Sequence, residues 1–88
     1  MSYFISALIA ITNCMYSLSI IPGEKADSIK IRLDNCYKVR EYDKMMKVSY
    51  ILSKEEMERA IDADRVIAQC IVELMYQLKE KEKELNEL

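Results

Sequence analysis

Three cysteines, Cys14, Cys36 and Cys70, are the strongest nucleophiles in a chain of 88 residues that holds no histidine. A thiol becomes reactive where a nearby cation or helix N-terminus lowers its pKa. Cys70 instead sits among Ile67, Ala68, Ile71 and Leu74, and Cys14 among Asn13, Met15 and Tyr16. The three are widely spaced and odd in number, and they form no C-x-x-C pair, so neither a zinc site nor a redox couple is read from them. They read as reduced, small core residues of a cytoplasmic protein. One glycine cannot build a phosphate-cradling loop, and without histidine the commonest general base is missing. Neither catalysis nor a bound cofactor or metal is expected.

What could bind is a set of cations and rings in the middle of the chain, from Lys30 to Lys47. Arginine supplies planar paired donors for phosphate, and tyrosine a ring on which a base can stack. Arg32 and Arg40 stand eight apart, roughly on one helix face, with Tyr37 and Tyr42 close by. Asp64 falls in an otherwise apolar stripe between Ala60 and Ile67. It marks the edge of a buried face or is paired inside one, with Arg32 or Arg40 as partner. Arg32, Tyr37, Arg40, Tyr42 and Asp64 are thus the candidate ligand-binding residues, for an anionic metabolite or nucleotide. The plainer reading is a solvated face whose arginines pair with acidic neighbours. General nucleic-acid binding is not expected. The net charge is −2, with +2 over residues 24–52 and −4 over residues 53–88.

Three helices are expected to position these groups, over about 3–20, 24–49 and 53–86. The clearest is the third. Ser53 and Glu56 form an S-x-x-E capping box, flanked by Leu52 and Met57 at the positions of a hydrophobic staple. Apolar residues then recur at helical spacing from Met57 to Leu78. The tail from Lys79 to Leu88 places opposite charges three apart, as in Lys81 and Glu84, while Leu85 and Leu88 extend the stripe.

The first segment, residues 3–21, carries no charge. Its length would allow a membrane span, but Ser6, Thr12, Asn13, Ser17 and Ser19 interrupt it. No basic residue precedes it, as a secretory signal would require. A buried core helix or subunit interface is the favoured reading. Ser6, Ala10 and Cys14 form a small-residue series along which another helix could approach closely, and the plainer reading is tight packing of neighbouring helices within one subunit. Pro22-Gly23 is the strong turn signal that ends this segment.

The middle segment is ambiguous. Ala26, Ile29, Leu33 and Cys36 keep helical spacing, yet Ile29, Ile31 and Leu33 also alternate like a strand. A hairpin over residues 28–42, turning at Asp34-Asn35, is the alternative, giving an α+β fold.

The expected fold is all-α, a single domain of three helices. With 51% hydrophobic residues in so short a chain, apolar surface exceeds what one small core can cover. A helical homo-oligomer is therefore expected, with Ser6, Ala10, Leu74, Leu78 and Leu85 as interface candidates. Usage rich in Ile, Lys, Met, Tyr and Glu suits an AT-rich genome, microbial or viral, and the expected place is the cytoplasm, a host's if the genome is viral. The leading functional expectation is a non-enzymatic interaction protein, a small regulator, adaptor or inhibitor that occupies a partner protein's surface. An oligomeric binder of an anionic small molecule is the alternative, and a small single-span membrane protein comes third.

Overall fold

The computed structural model describes residues 3–87 and contains three helices. They are α1 (Tyr3–Tyr16), α2 (Ala26–Ser49) and α3 (Lys54–Glu87). Each helix packs on the other two. Short connections reverse the chain twice, so α1 and α3 run the same way and α2 runs against both. The bundle is a rod, 53 × 17 × 17 Å.

Reciprocal bonds start α3 as its sequence requires. Ser53 N–H donates to Glu56 Oε1 at 3.4 Å, and Glu56 N–H donates to Ser53 Oγ at 3.3 Å. Leu52 packs on the core, while Met57 stays half exposed. Replacing a capping serine with alanine typically costs about 1 kcal/mol. Ser53→Ala should therefore lower stability in urea by about that much, and an unchanged midpoint would show that the box contributes nothing.

α1 ends one turn earlier than its uncharged run suggests. Ser17 Oγ donates to the Asn13 carbonyl at 3.0 Å, and Leu18 and Ser19 close only tight i→i+3 turns. Beyond them Pro22 biases Ile21 toward extended backbone. Glu24 N–H returns to the Ile21 carbonyl at 3.2 Å around Pro22 and Gly23. Gly23 has φ of 73°, which the third position of a type II turn demands.

α2 settles the ambiguous middle segment as helix. Residues 28–42 form no hairpin, and no strand occurs among the described residues. The alternation of Ile29, Ile31 and Leu33 is coincidental. Ile29 is buried and Leu33 half buried, whereas Ile31 turns outward and is exposed. The inner seam of α2 steps by four and three through Ile29, Leu33, Cys36, Arg40, Asp43 and Lys47. Its first half is apolar and its second half polar, and that division sets up two layers.

In the first layer Cys14, Cys36 and Cys70, one from each helix, pack with Ala10, Ile67, Ile71 and Leu74. All three thiols are free and buried. Burial, the neighbouring Cys36 and then Cys70 push the Cys14 thiol up from 9.0 to about 12. Burial also raises Cys70. A raised pKa lowers the thiolate fraction of Cys14 and Cys70, and the thiolate is the nucleophile. In the second layer Tyr3 and Ala7 of α1 meet Ala60 and Ala63 of α3. Alanine faces let these two helices lie close together.

Candidate functional site

The proposed ligand set does not converge. Arg32 reaches back to the 17–25 connection, where it donates to the Ser17 carbonyl, to the Ser19 carbonyl at 2.7 Å and to Glu24 Oε2. Its role is structural, because it satisfies carbonyls left open where α1 stops. Arg40 Nε donates to Asp64 Oδ1 at 3.3 Å between α2 and α3. Asp64 is half buried, so it is paired at the edge of the apolar face. Tyr37 is turned toward α3, its hydroxyl 3.8 Å from Met75 Sδ. Tyr42 lies on the opposite side of α2, facing α1 across a shallow cavity of ≈ 260 Å³. Lys38 and Lys44 are exposed and paired with Asp34 and Glu41 along their own helix. Arg32 and Arg40 lie about 12 Å apart along the helix, and each guanidinium is already engaged.

The interface candidates divide by burial. Ser6, Ala10 and Leu74 are packed inside this chain's own core, Leu78 is half buried, and Leu85 is exposed. The small-residue series therefore serves close packing within one chain, with Ser6, Ala10 and Tyr42 meeting at the cavity between α1 and α2. Ser6 Oγ is buried there without a hydrogen-bond partner. In the tail Lys81 and Glu84 pair at 3.8 Å as the spacing predicts. Leu88 lies outside the described residues.

A buried polar group that the sequence reading missed is Asp43. It is 3% exposed and accepts a 2.7 Å hydrogen bond from the Tyr3 hydroxyl. Lys47 Nζ lies 3.1 Å from its other oxygen, as an ion pair whose alignment falls short of a hydrogen bond. Burial first, then the Asp43 hydrogen bond and charge, raise the Tyr3 pKa. The seven-residue spacing of Ile29, Cys36 and Asp43 was the available signal, since it places Asp43 on the inner seam. The group ties α1 to α2 through the Tyr3–Asp43 hydrogen bond.

The remaining feature is the outer face of α1. Its inward side is built from Ser6, Ala7, Ala10 and Cys14, with Tyr3 at one end. Its outward side carries Phe4, Leu8, Ile9, Met15 and Tyr16, all exposed. The size order is the reverse of an ordinary amphipathic helix, which buries its large apolar residues. Among the described residues twenty-one large apolar side chains are exposed, and eight of them fall between Phe4 and Ile21, so the excess is concentrated here. Arg59 of α3 borders the face, with its guanidinium carbon 4.1 Å from the Phe4 ring centroid.

Among the described residues, no group of three His, Cys, Asp or Glu side chains could hold a metal ion, and no helix is long and apolar enough to cross a membrane. Compared with known proteins, the chain matches no protein-family model, no curated protein and no solved structure. The class defined by the fold is a small all-α three-helix bundle.

Proposed function

We propose that this chain is a non-enzymatic interaction protein, a small regulator, adaptor or inhibitor that works by covering a partner protein's surface with the outward face of α1. The observation that carries the reading is the inverted size order of α1. Phe4, Leu8, Ile9 and Met15 are left in water while alanine, serine and cysteine fill the interior. Apolar surface of this extent is stabilised when a partner removes it from water, at about 25 cal/mol per Å². The groups suited to chemistry are spent on structure: the thiols are sealed, and Arg32, Arg40 and Asp43 are paired.

A library of displayed helical peptides panned against the full chain tests the reading. Amphipathic binders should hold the wild type and Leu85→Ala equally, and lose at least about 10-fold in affinity for Leu8→Glu, roughly 1.4 kcal/mol. Binders indifferent to Leu8→Glu would place the working surface elsewhere.

A further inference from the structure

Resting on that assignment of the working surface, we infer that its occupant is a second copy of this chain, docked α1 against α1. Three observations select the partner. The first is area. A compact chain of this mass exposes about 5,400 Å², whereas this one exposes 6424 Å². The surplus of about 1,000 Å² belongs to the rod as a whole, and it leaves room for a standard interface of roughly 800 Å² per partner. It arises from the rod shape: the radius of gyration is 15.1 Å, against about 12 Å for a compact chain of this length.

The second observation is charge. All of the chain's charged side chains lie outside residues 1–23. A two-fold interface sets a patch against itself, so a charged patch meets like charge. The side chains of α1 itself avoid that cost, and the cation bordering the face, Arg59 of α3, lies at its Phe4 end, which antiparallel pairing keeps away from its equivalent.

The third is shape. Antiparallel pairing centred near Ile9 sets Phe4 of one copy against Met15 of the other, a favourable ring–thioether contact. The same arrangement opposes the two helix dipoles. It also sends the two long α3 tails in opposite directions, which keeps their glutamates apart.

Sedimentation of the full chain without detergent, across a concentration series, tests the inference. Wild type should run at twice the 10.3 kDa chain mass. Leu8→Glu should run at the single-chain mass with unchanged helical circular dichroism, since Leu8 is exposed in the single chain. Val48→Glu, 88% exposed at the end of α2, should remain a dimer. A wild type that stays at the single-chain mass at every concentration overturns the inference, as does a Leu8→Glu variant that stays dimeric. If that monomer floats with neutral phosphatidylcholine vesicles, the occupant is a lipid surface instead. A monomer that still binds displayed peptides through Leu8 overturns the second copy alone. A monomer whose peptides ignore Leu8→Glu overturns the assignment of the surface as well.

Discussion

Raising the pH from 8 to 11 should destabilise the bundle by roughly 3 kcal/mol or more. The sign follows from proton binding. Cys14, Cys70 and Tyr3 all have folded pKa values raised above their unfolded ones. Above about pH 9 the unfolded chain gives up thiol protons that the folded chain retains, and above about pH 10 the same holds for Tyr3. Ionisation then favours the unfolded state, and each group removes about 1.4 kcal/mol per pH unit within its window. Stability is full below the unfolded values and declines through the folded ones, with Cys14 contributing up to about pH 12. Thermal melts at one-unit pH steps would read this directly. Cys14→Ala should flatten the decline between pH 9 and 11, and a melting temperature constant to pH 11 would contradict the buried thiol layer.

Asp43→Ala should lower stability by about 3 kcal/mol. Truncation strands the Tyr3 hydroxyl inside the bundle and leaves Lys47, about a quarter exposed, without its counter-charge. The lower end of the usual range for breaking a buried pair applies, because Lys47 can extend to water. Removing the polar groups together should behave differently. Tyr3→Phe combined with Asp43→Leu leaves no unsatisfied hydroxyl and fills the space, so most of the loss should return. Urea midpoints of the three variants decide the matter. A double variant no more stable than Asp43→Ala would mean that the pair does more than satisfy itself. In that outcome the pair would be expected to hold α1 in one register on α2, which apolar residues do less selectively.

Local signals in the sequence were the ones that survived folding. Ser53 and Glu56 specify a helix start by groups three residues apart, and the reciprocal bonds form as expected. Pro22 and Gly23 likewise build their turn from their own backbone preferences. The misleading alternation at Ile29, Ile31 and Leu33 shows the limit of so short a window, because three residues fit two periods equally. Only the continuation to Cys36 and Asp43 separates them. Arg32 was unreadable as a structural clamp, since the carbonyls it serves are open only because α1 stops at Tyr16. The meeting of three cysteines required knowing the inner side of each helix at once. On α1 that side was obscured, because nearly every position is apolar and periodicity cannot tell inside from outside. Ser6 and Ala10 were legible as close-packing residues, and tight packing between helices of one chain was the plainer reading of their spacing.

The two connections have a kinetic consequence. Residues 17–25 and 50–53 join helices that pack side by side, while α1 also packs on α3, as in Tyr3 and Ala7 on Ala60 and Ala63. Helical bundles as a class fold in the microsecond-to-millisecond range. Partly folded chains with an open core should be short-lived and collide rarely before closing. The apolar residues of α1 that remain outside are then a lasting property of the native state, open to selection for what they touch.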